Sequence, residues 1–275
     1  MPEGPEIRRA ADRLAGVLVD TPICRVELNH PALTPHHNQI EGATITSIRS
    51  RSKALLTSFS TGITIYSHNQ LYGVWQVRRA GSADRSNRQM RLAFHTDRHV
   101  ARLYSATDIS VWDTDEVEQH PYIAGLGPDV LDESLTPAAL AARLADDRFR
   151  RRSLAALFLD QKFLAGIGNY LRTEILFASN LHPALTPAKL ENKQLDRLAR
   201  EAIRISRRSY RTGGITNPPK WYRPQKDRGS GYEGYRFMAF AREGEGCHAC
   251  GENILREERA ARRIYWCPNC QPRSV

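Results

Sequence analysis

Residues 247–270 read CHACGENILREERAARRIYWCPNC, and they contain two Cys-x2-Cys pairs separated by sixteen residues. Each pair can place two sulfurs on one ion, and the sixteen residues between the pairs suit a β-hairpin. In a chain that is not exported, this pattern favours a tetrahedral thiolate zinc site over two disulfides. Four thiolates leave no open coordination position, so we expect one structural Zn²⁺ without a chemical role. The four predicted ligands are Cys247, Cys250, Cys267 and Cys270.

The charge of the chain is uneven. The net charge of the 275 residues is +10. Residues 204–228 hold eight basic side chains and one acidic one, whereas residues 111–135 hold seven acidic side chains and no basic one. This asymmetry points to a polyanionic partner held mainly by the C-terminal half, although a solvated basic surface has the same composition.

The N-terminal sequence MPEGPEIRRAADRL carries charges where a signal peptide needs an apolar run. No stretch approaches the ~18 consecutive apolar residues that span a membrane. We therefore expect a cytoplasmic protein that does not bind membranes.

Hydrophobic periodicity predicts strands in the first half of the chain. Residues 5–19 have the apolar spacing of an amphipathic helix, with Pro5 at a favourable first position. Seven short strands then follow without intervening helices, which is typical of an antiparallel sandwich or barrel. Their sequences are CRVEL, ATITSI, ALLTSF, ITIYSH, GVWQV, MRLAF and ARLYS.

Helices are predicted in the second half. The acidic stretch 111–135 is interpreted as an interdomain connection, and helices are expected to begin near Thr136, Ser153 and Thr186. In GIGNYLRTEIL a glycine-rich turn directly precedes another helix, and backbone N–H groups at such a helix start suit an anion. Residues 212–234, rich in Gly, Pro and basic side chains, are expected to form a mobile loop. The pattern predicts an α+β, multidomain fold.

Proline at position 2 offers a reactive amine once the initiator methionine is removed. An α-amino group has a pKa of about 7.7–8.0, against about 10.4 for lysine, so far more of it is unprotonated at neutral pH. Attack of this amine on a sugar aldehyde carbon gives an iminium ion, which is an electron sink for elimination.

The N-terminal MPEGPE, the sandwich, the glycine-rich helical turn and the four-cysteine finger together resemble the formamidopyrimidine-DNA glycosylase/endonuclease VIII family. The resemblance covers essentially the whole chain. It is most specific at SHNQLYGVW (67–75), GPDVLD (127–132), LAGIGNYLRTEIL (164–176) and IYWCPNCQ (264–271). It implies a bifunctional glycosylase and AP lyase of base-excision repair. Such an enzyme removes oxidised pyrimidines from damaged double-stranded DNA and cleaves the strand by β,δ-elimination.

The resemblance also implies a domain organisation. We expect an N-terminal β-sandwich catalytic domain over residues 1–125 and a linker over 126–135. A helix–two-turn–helix DNA-binding domain is expected over 136–235, followed by a zinc finger hairpin over 236–275. We expect a monomer.

Catalytic roles follow by matching the family motifs residue by residue. Pro2 matches the nucleophile that attacks C1′, and Glu3 matches the acid that assists opening of the sugar ring. Lys53 matches a lysine that contacts phosphate and donates a proton during base release. Arg262, five residues before the third cysteine, matches the arginine that holds phosphate and assists δ-elimination; its neighbour Arg263 would point to the opposite face of a strand.

DNA-binding roles are carried over in the same way. Asn169 matches the phosphate-binding turn of the helix–two-turn–helix. Gln70, Leu71 and Tyr72 match a wedge that enters the duplex when the damaged nucleotide is extruded, which limits the cost of unstacking. The chain departs from the pattern at Gly125, where an arginine that contacts DNA is expected.

Simpler interpretations stay open at this point. Glu3 could be only a carboxylate at a helix N-terminus, Lys53 a solvated strand-end lysine, and Leu71 and Tyr72 core residues. At the level of function, the alternatives are a formamidopyrimidine/oxidised-purine DNA glycosylase and a non-catalytic zinc-dependent DNA-binding protein.

Overall fold

The structure is a computed structural model that describes residues 2–273. It consists of two compact units, Met1–Gly125 and Leu126–Val275. Within residues 2–273, none of the helices combines the length and the apolar character needed to cross a bilayer.

The first unit is a β-sandwich of two four-stranded antiparallel sheets, as the sequence predicts. One sheet has the order β1-β6-β7-β5 and the other β2-β3-β4-β8. The strands are β1 (Arg25–Leu28), β2 (Ile45–Arg51), β3 (Ala54–Phe59), β4 (Ile63–His68), β5 (Val74–Arg79), β6 (Met90–His95), β7 (His99–Tyr104) and β8 (Asp108–Asp113). Three helices accompany them: α1 (Gly4–Leu18), α2 (His37–Ile40) and α3 (Pro121–Ala124).

Helix α1 covers the sandwich with one apolar stripe. Its buried residues Ile7, Ala11, Leu14 and Leu18 follow the three- and four-residue spacing of a helix face, and they join the core between the sheets. Pro5 occupies the first turn, where its missing N–H costs no hydrogen bond. This packing fixes the N-terminal end of the chain against the sandwich.

Strand β8 was not predicted, because its ends are acidic and its second half lies in the stretch 111–135 that was interpreted as a connection. It pairs only with β4 and so forms the edge of its sheet. Charged residues are common on edge strands, since they discourage pairing with another chain. Only Ile109 of β8 is fully buried, which leaves too weak an alternation for the sequence to reveal.

The second unit contains six helices and a hairpin within the described residues. The helices are α4 (Pro137–Ala145), α5 (Leu154–Leu157), α6 (Asn169–Ser179), α7 (Asn192–Thr212), α8 (Pro219–Asp227) and α9 (Tyr232–Tyr235), and the hairpin strands are β9 (Leu255–Arg259) and β10 (Arg262–Trp266). Thr136 and Ser153 cap α4 and α5 through their side-chain oxygens, as expected at those positions.

Two predictions about this unit differ from the structure. The helix expected from Thr186 begins only at Asn192, because residues 187–189 form a 3₁₀ turn and Glu191 is the N-cap. The expected loop 212–234 contains α8 and the first three residues of α9. Pro219 at the first position of α8 favours a helix start, although no residue of α8 is buried.

Helix α6 is buried on all sides and carries a fully buried carboxylate. Both oxygens of Glu174 accept hydrogen bonds from the main-chain N–H groups of Met238 (2.7 Å), Ala239 (2.8 Å) and Phe240 (2.9 Å) and from the hydroxyl of Thr216 (2.5 Å). Burial raises the pKa of Glu174, and these four hydrogen bonds oppose the shift. The carboxylate thereby fixes the segment that leads from the helices into the cysteine hairpin.

The substitution Glu174→Gln replaces one acceptor oxygen by an NH₂ group that faces donors. We expect it to lower the free energy of unfolding by about 2–3 kcal/mol, the cost of buried donors left unsatisfied. Denaturant unfolding followed by circular dichroism measures this change. Glu233→Gln is the matched control: Glu233 is exposed and should change stability by less than about 0.5 kcal/mol. Equal losses in both variants would contradict the anchoring role.

Candidate active site

The N-terminal dipeptide of the described chain is held at the start of α1. Glu3 is the N-cap residue, with an extended backbone and only 3% of its surface exposed. Its N–H donates to Oε2 of Glu6 at 3.0 Å, one half of a capping box. Pro2 is half-buried and directly precedes this fixed residue, whereas Met1 lies outside the described residues. A buried carboxylate therefore lies one residue from the proline, at the positive end of the helix dipole.

Lys53 lies in the two-residue turn between β2 and β3, where Arg51 pairs with Ala54. It is 9% exposed, so it is not the solvated strand-end lysine of the simpler interpretation. The ammonium charge of Lys53 acts on His68, which lies at the end of β4. Burial lowers the pKa of His68, the carboxylate of Asp108 opposes this shift, and the charge of Lys53 adds to it.

The predicted wedge forms the tip of the β4–β5 loop. Leu71 is 53% exposed and Tyr72 is 67% exposed, so neither is a core residue. The N–H of Gly73 donates to the carbonyl of Asn69 at 2.7 Å. A Cβ at Gly73 would lie 2.5 Å from that same carbonyl oxygen, so this close turn requires glycine. The loop therefore presents two large apolar side chains to solvent on a tight backbone.

Three hydrogen bonds hold this wedge loop and were not foreseen from the sequence. Gln70 has a left-handed backbone (φ 49°), and its N–H donates to Nδ1 of His68 at 2.9 Å. The hydroxyl of Thr107 donates to Oε1 of Gln70 at 2.6 Å, and Nη1 of Arg88 donates to the carbonyl of Tyr72 at 2.7 Å. The separations of 37 residues for Thr107 and 16 for Arg88 hide these two partners from motif analysis.

In the second unit, Asn169 is the first residue of α6, directly after the N-cap Gly168. Its Nδ2 donates to the carbonyl of Arg263 at 2.9 Å, and its Oδ1 accepts from Nη2 of Arg172 at 2.6 Å. The side chain of Asn169 thus joins the start of α6 to the hairpin. The preceding turn contains Gly166 in a left-handed conformation (φ 93°).

Arg172 was missed by the sequence analysis although it is fully buried. Its guanidinium donates to the carbonyls of Ala155 (3.0 Å), Arg259 (3.2 Å) and Arg263 (3.1 Å). It therefore attaches the tip of the β9–β10 hairpin to α6. The sequence LRTEIL places Arg172 and Glu174 among apolar residues of a predicted helix, where charged side chains are usually exposed, so the pattern gave no sign of its burial.

Arg262 and Arg263 begin β10, and both side chains are exposed. Arg262 pairs with Arg259 across a two-residue turn, in which Ala260 and Ala261 both have positive φ (53° and 55°). Such turns match the twist of a hairpin. Both arginines are thus presented at the hairpin tip, on a backbone that Arg172 holds.

The four cysteines of the hairpin form one cluster, with all Sγ atoms within 4.8 Å of one another. The distances from Cys250 to Cys267 (3.4 Å) and from Cys247 to Cys270 (3.9 Å) exceed the ~2.05 Å of a disulfide. They lie near the ~3.8 Å expected for sulfurs at 2.3 Å from a tetrahedral ion. The N–H of Ala249 also donates to the sulfur of Cys247 at 3.4 Å. The cluster is consistent with a zinc finger.

The predicted site residues therefore divide between the two units. Pro2, Glu3, Lys53 and the wedge belong to the first, and Asn169, Arg262 and the cysteines to the second. Gly125, the position of the expected arginine, is the C-cap of α3.

Comparison with known proteins adds a family assignment to this geometry. Residues 1–114 match the model of the formamidopyrimidine-DNA glycosylase N-terminal domain, and residues 126–218 match its H2TH domain. The chain is 45% identical to Endonuclease 8 of Klebsiella pneumoniae subsp. pneumoniae over 271 residues, which cover 98% of this chain and 100% of that protein. It is 43% identical to Endonuclease 8 of Escherichia coli K12 over the same shares.

Solved structures share the fold at lower identity. Formamidopyrimidine-DNA glycosylase of Lactococcus lactis bound to DNA with an AP site superposes with a TM-score of 0.80 at 21% identity, covering 98% of this chain and 99% of that one. A complex of the wild-type Lactococcus lactis enzyme with DNA containing an oxidized pyrimidine has a TM-score of 0.80 at 20% identity, with shares of 98% and 100%.

The contacts of Arg172 lead to a testable prediction. Arg172→Met keeps the apolar stem but leaves buried carbonyls without their donor, so we expect a loss of about 2–4 kcal/mol in unfolding free energy. Amide hydrogen exchange should quicken selectively at the hairpin tip. Arg197→Met is the control, because Arg197 donates to a carbonyl and to Asn180 from an exposed position. Unchanged exchange at the tip would refute the attachment.

Proposed function

Since the chain belongs to the formamidopyrimidine-DNA glycosylase/endonuclease VIII family, we propose that it releases oxidised pyrimidines from damaged double-stranded DNA. The chain is a bifunctional DNA glycosylase and AP lyase of base-excision repair. The observation that carries the substrate class is the 43–45% identity to Endonuclease 8 proteins along their entire length. The likeness to formamidopyrimidine-DNA glycosylase structures, at 20–21% identity, concerns the fold and does not favour oxidised purines.

The proposed chemistry begins at the N-terminal amine, which Pro2 bears once Met1 is removed. The nitrogen lone pair attacks C1′ as the glycosidic bond breaks, and the electrons of that bond leave on the base. The amine nitrogen then loses its proton, and its lone pair breaks the C1′–O4′ bond while Glu3 protonates O4′, which opens the sugar ring. Lys53 holds phosphate and supplies a proton in this base-release step. The resulting iminium ion acidifies C2′–H: loss of that proton expels the 3′ phosphate, and loss of the C4′ proton of the conjugated iminium then expels the 5′ phosphate, which completes the β,δ-elimination.

Burial supports this assignment of roles. The carboxyl of Glu3 and the ammonium of Lys53 are both largely withdrawn from water, where charge interactions are stronger than at an exposed surface. Glu3 also caps α1, so the structural and chemical interpretations of this residue are compatible.

We further propose that the second unit grips the DNA backbone. Asn169 at the start of α6 and Arg262 at the hairpin tip would contact phosphates, and exposed basic residues of 204–228 would add electrostatic attraction.

The exposed Gln70, Leu71 and Tyr72 would fill the stack that the extruded nucleotide vacates. Because residue 125 is glycine, other basic side chains would have to make the DNA contact expected of an arginine at this position. The enzyme would act as a monomer in the cytoplasm, at the nucleoid.

The cysteine cluster fits one structural zinc ion. Its four sulfurs supply a complete tetrahedral set, and their mutual proximity disfavours four negative charges without a cation among them. Cys247, Cys250, Cys267 and Cys270 would bind the ion, which when present stabilises the hairpin that carries Arg262. No step of the reaction passes through it.

Borohydride trapping tests the role of Pro2. With a thymine glycol or abasic duplex, we expect a covalent enzyme–DNA adduct whose peptide map places DNA on residue 2. Glu3→Gln should slow base release by about 100-fold or more, the usual contribution of general acid catalysis, but should slow cleavage at a preformed abasic site much less.

A variant that retains Met1 is the control, since its proline nitrogen is an amide and cannot form the iminium. Pro2→Gly keeps a primary amine and should retain residual lyase activity. An adduct that maps to Lys53, or undiminished trapping with Met1 attached, would refute the proline mechanism while leaving the DNA-binding role intact.

Metal content tests the zinc assignment. Cys250→Ser should abolish stoichiometric zinc and weaken DNA binding, because binding at such sites supplies about 10–16 kcal/mol of folding free energy in finger peptides. Elemental analysis and a DNA-binding titration measure the two effects. Cys24→Ser, at the exposed cysteine outside the cluster, should leave both unchanged. Full zinc content in Cys250→Ser would exclude this ligand set.

A further inference from the structure

The turn that carries Lys53 has an unusual backbone. Ser52, the residue before it, is fully buried and has a φ of 59°, in the left-handed region that residues with a Cβ avoid. Glycine is the residue that adopts this conformation without steric cost. Because Lys53 follows Ser52 in a two-residue turn, the conformation of Ser52 sets the direction in which the Lys53 side chain leaves the sheet.

The hydroxyl of Ser52 has a specific neighbour. Its Oγ lies 3.1 Å from the hydroxyl oxygen of Tyr122, seventy residues later in the chain. This pair joins the β2–β3 turn to α3, within the same compact unit. A serine side chain at this position can therefore offset the backbone strain through a bond that glycine would not need.

Tyr122 is itself held firmly. Its N–H donates to Nδ1 of His120 at 3.2 Å, and its ring lies edge-on to His68 and to Tyr66, with centroids 5.3 Å and 6.3 Å away. The next residue, Ile123, is buried in a small cluster beside the sheet that includes Tyr66. Tyr122 thus brings a fixed hydroxyl to the turn from a well-packed helix.

We propose that Tyr122 is a positioning residue for base release, whose hydroxyl holds Ser52 in the left-handed conformation and thereby aims Lys53 at its phosphate and proton acceptor. The inference rests on the function proposed above for Lys53. It makes Ser52 and Tyr122 a functional pair, because this action of the Tyr122 hydroxyl requires a hydroxyl on the side chain of residue 52.

Glycine at position 52 provides the decisive test. Tyr122→Phe should slow base release from a thymine glycol duplex by about tenfold, which is the rate effect of losing the free energy of one buried hydrogen bond. Removal of Met1 should be complete in this variant, so that the Pro2 amine is equally available. Ser52→Ala, which keeps the strain and loses the bond, should have a similar effect. In Ser52→Gly the left-handed turn needs no hydroxyl, so adding Tyr122→Phe should change the rate less than twofold.

Single-turnover base release and cleavage of a preformed abasic site are measured for each variant, with thermal unfolding as a check of folding. Cleavage of the abasic substrate should change less than base release, because that substrate requires no base departure. Tyr104→Phe is the matched control, since it removes another buried tyrosine's hydrogen bond in the same unit, to Asp84, far along the chain from Lys53.

Wild-type base release by Tyr122→Phe would overturn the proposal. So would an equal loss on Tyr122→Phe in the serine and glycine backgrounds, because Tyr122 would then act by another route. Lys53→Ala distinguishes failure of the proposed role of Lys53 from failure of the positioning role of Tyr122. Full base release in that variant would refute the proposed function of Lys53, whereas a slow Lys53→Ala beside a fully active Tyr122→Phe would refute only the positioning role.

Discussion

The guanidinium of Arg172 and the carboxylate of Glu174 are fully buried on one helix, α6, where water cannot satisfy them. Each must therefore find its hydrogen-bond partners within the second unit. Arg172 takes carbonyls at the tip of the cysteine hairpin, and Glu174 takes N–H groups of residues 238–240, which precede that hairpin. The two ions thus fix both ends of the segment that presents Arg262, and Asn169 at the start of the same helix shares one of these attachments.

In the first unit, the predicted site residues lie where helices and strands end. Glu3 is at the cap of a helix, Lys53 in a hairpin turn, and the wedge in a tight loop between strands. At such positions the chain leaves the hydrogen-bonding pattern of helix or sheet, and side chains can project from a rigid base. At each of these ends a side-chain hydrogen bond fixes the chain instead. Glu6 provides it at the helix cap, Tyr122 at the turn, and Arg88 and Thr107 at the wedge loop.

Local patterns predicted the features that depend on neighbours in sequence. The stripe of α1 and the buried strands β3 and β4 follow from periodicity, and the cysteine cluster follows from spacing. Strand β8 escaped because its pairing with β4 outweighs the low strand propensity of its acidic ends. Arg172 and Tyr122 escaped for a different reason: their partners are up to 91 residues away, and for Arg172 they are mostly carbonyls, which every residue type possesses. Elementary chemistry indicated the reactive amine of Pro2 and an anion site at the start of α6, whereas the roles of Glu3, Lys53 and Arg262 came from family motifs.

On the proposed function, the exposed tip of the β4–β5 loop has a consequence for how damage would be found. Leu71 and Tyr72 stand in water on a backbone closed by Gly73, so the free protein already has the shape that would enter the duplex. Hydrophobic surface that is exposed during the search becomes covered on insertion, and this gain is the same at every base pair. What differs between base pairs is the stacking that insertion must break, which is weaker at a damaged base. On the proposed function, selectivity would therefore come first from the weaker stacking of the damaged base, since the loop itself would offer the same apolar surface to every base pair.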